Sequence, residues 1–71
     1  LSMQVKIQQL LSAADVAIQN NQLTTPADDN ALDRYKLVLT LNPSNTVAIA
    51  GINRIVERYL AWALDQAERS N

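Results

Sequence analysis

The side chains that could support chemistry in this sequence are few. There is no histidine and no cysteine, which removes the commonest general bases, nucleophiles and soft metal ligands together. Asp28, Asp29 and Asp33 form an acidic cluster, but this cluster lacks the glycine and the distal glutamate of a helix–loop–helix calcium site. Carboxylates near the start of a helix suit its dipole, so we interpret the cluster as structural. No metal ion and no cofactor are predicted.

Two threonines and two arginines are the remaining candidates. Thr24 and Thr25 could act as nucleophiles or be phosphorylated, but no base is near them in sequence. Thr25 fits better as the N-cap of a helix. Arg54 and Arg58 lie one helical turn apart and could bind a carboxylate or a peptide terminus; the plainer interpretation is a solvated face. From this inventory we do not expect an enzyme.

Length and composition indicate one small, all-helical domain. The chain has 71 residues, 48% of them apolar, with only one Gly and two Pro. A sheet protein of this size would need more turn residues, and so short a chain can bury only a marginal core. Six basic residues stand against seven acidic ones. They form no run that could follow a phosphate backbone, so nucleic-acid binding is not expected.

Membrane insertion is not expected either, because no apolar run approaches the roughly 20 residues that span a bilayer. The third predicted helix also lacks the Lys-rich face of a membrane-surface helix. The chain begins at Leu1 rather than Met, and we expect residues 1–71 to be a single domain excised from a longer protein. Without cysteine the redox compartment cannot be read, which leaves both cytoplasm and periplasm open.

The spacing of apolar residues predicts three antiparallel helices, at about 2–21, 26–41 and 45–69. The first stripe has spacings of three and four residues: Met3, Ile7, Leu10, Ala14 and Ala17. The first helix should stop at the asparagine pair that follows it, since Asn tolerates the left-handed conformation.

A capping pattern predicts the start of the second helix. Thr25 would be the N-cap, Pro26 would take the first helical position, and Asp28 would complete a capping box. Pro43 should end this helix, because the residue before a proline is forced out of the helical region. Gly51, early in the third helix, indicates a close approach by another backbone.

The third helix should be about 36 Å long, against about 24 Å for the second. Its apolar band is too wide for one neighbour, and its last turns overhang the second helix. Cover could come from the first helix, from a further helix or from a second copy of the chain. Tyr59 is expected in the core, whereas Trp62 fits an interface anchor and a core filler equally well. The candidate protein-interaction residues are Arg54, Arg58, Tyr59, Leu60, Trp62, Ala63, Leu64 and Ala67.

The second helix carries a family resemblance. Ala31, Tyr35 and Pro43 match a small residue, an aromatic residue four positions later and a proline after the helix. Val38 fits as the packing residue that follows, and Ala48 lies beyond a turn typical of the junction between repeats. The segment resembles the second half of a tetratricopeptide repeat. The resemblance implies one and a half repeats and a scaffold whose first helices line a groove for peptides or neighbouring domains.

From these observations we predict a non-catalytic protein–protein interaction or scaffold module that self-associates through the third helix. The partner would be a protein, a neighbouring domain or a second copy of the chain. The sequence also resembles repeat-like segments that lie between other modules in multidomain bacterial proteins. The alternative is therefore a regulatory or spacer domain of a larger bacterial enzyme or envelope protein, with the activity in other domains.

Overall fold

The computed structural model describes residues 2–70 and contains three α-helices. These are α1 (Met3–Gln19), α2 (Ala31–Leu41) and α3 (Thr46–Arg69). No strand occurs in the described part of the chain. The prediction of an all-α fold with three helices and a long, unbroken third one is therefore confirmed. Leu1, on which the expectation of an excised domain rests, lies outside the described residues.

Both ends of α1 are set by the side chains and backbone conformations that the sequence suggests. Ser2 caps the start of the helix. At the other end Asn21 has a φ of 60°, and the chain reverses there. The N–H of Asn21 donates to the carbonyl of Ile18 at 3.0 Å, and the N–H of Gln22 donates to the carbonyl of Ala17 at 2.8 Å. This is a Schellman motif, and it confirms the predicted stop at the asparagine pair.

The start of α2 differs from the prediction. The helix begins at Ala31 and not at Pro26. Asp28 has a φ of 63°, which lies outside the right-handed helical region and prevents a continuous helix through this segment. The N-cap is Asn30, whose side-chain oxygen accepts a hydrogen bond from the backbone N–H of Asp33 at 2.8 Å. α2 is therefore shorter than expected.

The residues expected to cap α2 lie in the loop before it. Thr25 is exposed and is not the N-cap, and Asp28 is outside the helix, so the predicted capping box is wrong. Of the three clustered carboxylates only Asp33 lies in the first turn. Asp33 accepts a hydrogen bond from the backbone N–H of Asp28 at 3.1 Å, while Asp29 pairs with Arg34 at 3.0 Å. Asp33 therefore keeps the predicted place at the start of the helix, whereas the hydrogen bonds of Asp28 and Asp29 order the loop before it.

The core forms around α2, which packs against both α1 and α3. α1 and α3 hardly touch each other. The buried apolar residues are Ile7, Ala14, Ala17, Ala31, Tyr35, Val38, Ala48 and Ile55. Alanines make up much of this set, so the core encloses little apolar volume, as expected for so short a chain. Leu23, in the loop between α1 and α2, packs against this core.

α2 and α3 come close together at Gly51. A Cβ atom at Gly51 would lie 2.7 Å or less from three ring carbons of Tyr35. Real Cβ atoms essentially never come this close to another heavy atom. The predicted close approach at Gly51 is confirmed, but the group that approaches is an aromatic side chain and not another backbone.

The molecule is elongated because its helices differ in length. α2 has 11 residues and α3 has 24, or about 16 Å against about 36 Å. The radius of gyration is 13.9 Å, whereas a compact chain of this length would have about 11 Å. Beyond Ile55 no described residue of α3 is buried. We call residues 56–69 the free half of α3.

Candidate protein-interaction surface

The free half of α3 carries an apolar surface that no other part of the described chain covers. Its large apolar side chains are 44% to 66% exposed: Val56, Tyr59, Leu60, Trp62 and Leu64. Single exposed apolar residues are common, but monomeric proteins rarely leave a contiguous apolar patch of this kind in water. Such patches mark binding sites for proteins or ligands.

The predicted interaction residues are all exposed on α3: Arg54, Arg58, Tyr59, Leu60, Trp62, Ala63, Leu64 and Ala67. The first of the three sources of cover considered above is excluded, because α1 and α3 hardly touch. The prediction of Tyr59 as a core residue is wrong, since this side chain is 44% exposed. Trp62 is not an intramolecular core filler either, with 62% of its surface exposed.

Tyr59 is held in place where α3 leaves the helical bundle. Its hydroxyl and that of Thr24 are hydrogen-bonded, with 2.9 Å between Oη and Oγ1. The two residues are 35 positions apart in sequence, so periodicity within α3 could not reveal the contact. The hydrogen bond joins the free half of α3 to the loop between α1 and α2.

Two grooves run along α3, one on each side of Tyr59. The first, which we call the Leu60 groove, has a volume of about 430 Å³. It is lined by Thr24, Leu32, Ile52, Ile55, Val56, Tyr59, Leu60 and Ala63. The second, the Trp62 groove, has a volume of about 230 Å³ and is lined by Leu23, Arg58, Tyr59 and Trp62. The residues that α3 contributes to each groove can be predicted from its apolar spacing. The residues that the loop and α2 contribute are known only from the tertiary structure.

The apolar residues of the free half point in two directions. Trp62 lies seven residues after buried Ile55 and so continues the side of α3 that faces the core. A second line of apolar residues is turned by roughly 110° about the helix axis from the line of Ile55 and Trp62, at 100° per residue. We call it the α3 stripe, and its members are Val56, Leu60, Ala63 and Ala67. Leu64 lies at the edge of the stripe.

The charged residues of the free half lie on the remaining side of the helix. They are Glu57, Arg58, Asp65, Glu68 and Arg69. Asp65 and Arg69 form an ion pair at 2.9 Å, a surface interaction worth a few tenths of a kcal/mol. The α3 stripe itself contains no charged residue.

Arg54 and Arg58 flank a depression of about 70 Å³ between the end of α1 and α3. Neither arginine is paired with a carboxylate within residues 2–70. The depression is too small for more than one or two small groups. The binding of a carboxylate by these arginines stays a prediction beside the plainer one of a solvated face.

Residues 2–70 contain no group of three or more His, Cys, Asp or Glu that could hold a metal ion. In the acidic cluster, the carboxylate of Asp33 already accepts from the backbone of Asp28 and from the side-chain nitrogen of Asn30, at 3.1 and 2.8 Å. No helix in the described chain is both long enough and apolar enough to cross a membrane.

Comparison with known proteins adds no relative. No protein-family model matches the chain, and no curated protein and no solved structure is significantly similar to it. The resemblance to tetratricopeptide repeats therefore stays a prediction. A functional interpretation has to come from the surface itself.

Proposed function

We propose that the chain is a non-catalytic protein–protein interaction module of the tetratricopeptide-like scaffold type, and that it self-associates through the free half of α3. One observation carries the proposal. The last turns of α3 contain no buried residue, yet they display large apolar side chains, among them Tyr59, Leu60 and Trp62. Aromatic residues on an exposed apolar surface are typical of protein interfaces.

The stability of a helix supports the same conclusion. Isolated helices shorter than about 12–15 residues are marginal in water, and most helices in proteins depend on the packing of an apolar face. Residues 56–69 continue α3 without such packing. A partner that covers the apolar face would supply the missing stabilisation, and the exposed side chains provide the means.

The arginines extend this surface. Arg58 lines the Trp62 groove together with Leu23, and Arg54 lies one turn before it. A basic group at the rim of an apolar groove favours partners with a carboxylate at the matching position. For a partner bound in the Trp62 groove the arginines would add specificity, while the apolar side chains would supply most of the affinity.

A spacer or regulatory domain of a larger bacterial enzyme or envelope protein is the second candidate. The elongated shape, with extents of 53 × 22 × 16 Å, suits a module that separates other domains. The sequence of the parent protein around this segment would distinguish the two functions, because a spacer requires folded modules next to it.

Light scattering of the 71-residue chain at low and high concentration tests the main proposal. We expect the mean mass to rise with concentration. The melting temperature should rise as well, because association stabilises the folded state by mass action. A strict monomer at millimolar concentration would contradict self-association.

A further inference from the structure

The α3 stripe has a pattern of sizes that fits a reversed copy of itself. Its larger residues, Val56 and Leu60, come first along the helix, and its small residues, Ala63 and Ala67, come last. In an antiparallel pair of α3 helices with a two-fold axis midway between Leu60 and Ala63, every large residue faces a small one. Leu60 faces Ala63 of the second copy, and Val56 faces Ala67.

A parallel pair would lack this fit. Leu60 would meet Leu60 of the second copy, and Ala63 would meet Ala63. The leucine layer would be crowded, and the alanine layers would enclose gaps, each of which costs stability. Alternation of large and small residues across a contact is what fills the space between two helices.

The charges permit a copy of the same chain on this face. No charged residue lies on the stripe; the nearest one, Glu57, is turned by about 60° from Leu60 about the helix axis. Two identical charge-free stripes therefore meet without burying a charge. A partner selected by charge would instead need a charged group on the stripe.

The molecule exposes more surface than a compact chain would. The accessible surface is 5104 Å², whereas a compact monomer of this mass would expose about 4,400 Å². The excess belongs to the whole elongated molecule, and a contact along the free half of α3 would remove part of it from water. The Leu60 groove also leaves room beside Leu32 for the last turns of the second copy.

From these observations we infer that two copies of the chain pair through the α3 stripe as an antiparallel, two-fold symmetric helix pair. The inference rests on the proposed function and specifies its partner and geometry. Leu60 packs against Ala63 of the second copy, and Val56 packs against Ala67. Trp62 and Arg58 lie outside this contact, so the Trp62 groove stays open in the dimer.

Cysteine cross-linking tests this register directly, because the chain has no cysteine of its own. Val56→Cys and Ala67→Cys are prepared separately and then mixed under mild oxidation. We expect the mixed disulfide as the main cross-linked product, and little homodisulfide from either variant alone. In a homodimer of either variant the two introduced thiols would be about 16 Å apart along the antiparallel pair, far beyond the reach of a disulfide.

Ala61→Cys is the matched control, since position 61 lies on the charged side of α3 and should give no cross-link. Efficient homodisulfide formation by Val56→Cys alone would indicate a parallel pair and overturn the inference. A dimer seen by light scattering without the mixed disulfide would also overturn it, but would leave the proposed function intact. A monomer at millimolar concentration would contradict both the inferred geometry and the proposed self-association.

The emission of Trp62, the only tryptophan, provides a second readout. In the antiparallel pair its spectrum should be the same below and above the concentration at which the dimer forms. A blue shift on dimerisation would place Trp62 in the contact and overturn the assignment to the α3 stripe.

Discussion

The ring of Tyr35 packs directly on the α-carbon of Gly51. Tyr35 is buried, and Gly51 has no side chain to keep the ring away. Because α1 and α3 hardly touch, the position of α3 depends on its contact with α2, and the two helices come close together here. The direction in which the free half of α3 projects therefore depends in part on Gly51, which is not itself part of the candidate interaction surface.

Gly51→Ala should destabilise the protein. Alanine is the better helix former by about 1 kcal/mol, but the added methyl group would overlap the ring of Tyr35. Overpacking of this kind costs about 1–3 kcal/mol, so we expect a net loss of about 1 kcal/mol in the free energy of unfolding. Urea denaturation followed by circular dichroism measures it.

The same change in a Tyr35→Ala background is the control for this prediction. With the ring removed, Gly51→Ala should become stabilising, because only the gain in helix propensity remains. If Gly51→Ala stabilises the unmodified protein, the ring does not lie against this position.

Asn30→Ala should cost more stability than Thr25→Ala. Asn30 is buried, and its amide nitrogen donates to the carbonyl of Pro26 and to the carboxylate of Asp33, at 2.8 Å each. Loss of an N-cap costs about 1 kcal/mol, and unsatisfied buried partners add to this. We expect a loss of about 2 kcal/mol for Asn30→Ala. Thr25 is exposed, and Thr25→Ala should change stability by less than about 0.5 kcal/mol. Equal losses of stability in the two variants would contradict Asn30 as the N-cap and favour Thr25.

Replacement of Leu60 and Leu64 by Glu should abolish self-association without unfolding α3. A carboxylate in an apolar contact costs several kcal/mol, so the dimer should weaken by roughly 100-fold or more. Leu37→Glu on α2 is the matched control, because Leu37 is 51% exposed but lies away from the surface. Sedimentation equilibrium gives the association state, and circular dichroism gives the helicity. Loss of helicity would instead place these leucines in the core of the monomer.

Tyr59→Phe should have a small effect. The hydrogen bond to Thr24 is exposed, and such a bond contributes about 0.5–1 kcal/mol. We expect a loss in that range for Tyr59→Phe and for Thr24→Val, and no further loss in the double variant. A double-mutant cycle of unfolding free energies measures this coupling. Strictly additive losses would show that the two hydroxyls do not interact in solution.

The caps show how far local sequence rules reach. The pattern Thr25-x-x-Asp28 and the pattern Asn30-x-x-Asp33 both fit a helix start, and they compete within one short segment. The second one forms, because Asn30 directly precedes the apolar residues that α2 buries. Pro26 directly follows Thr25, and because proline is common at the first helical position, it favoured the wrong N-cap. At the end of α1, by contrast, the asparagine pair had no competitor, and the prediction was confirmed.

The candidate interaction surface was predictable only in part. The overhang of α3 followed from the predicted helix lengths, so Leu60, Ala63, Leu64 and Ala67 could be named from the sequence as candidates. Tyr59 was assigned to the core, which is wrong, and Trp62 could not be assigned to core or interface. Both lie on or near an apolar band that is wider than one contact, and periodicity does not say which part of such a band meets a neighbour.

The sequence by itself determined three helices, the places where two of them begin and end, and the length of α3, because these depend on local propensity, capping and apolar spacing. Only the tertiary structure decided that α2 packs against both other helices, that Thr24 is hydrogen-bonded to Tyr59, and that α1 leaves the free half of α3 uncovered. The physical reason is that these features depend on contacts between residues distant in sequence. One of these contacts is the close approach of the Tyr35 ring to Gly51.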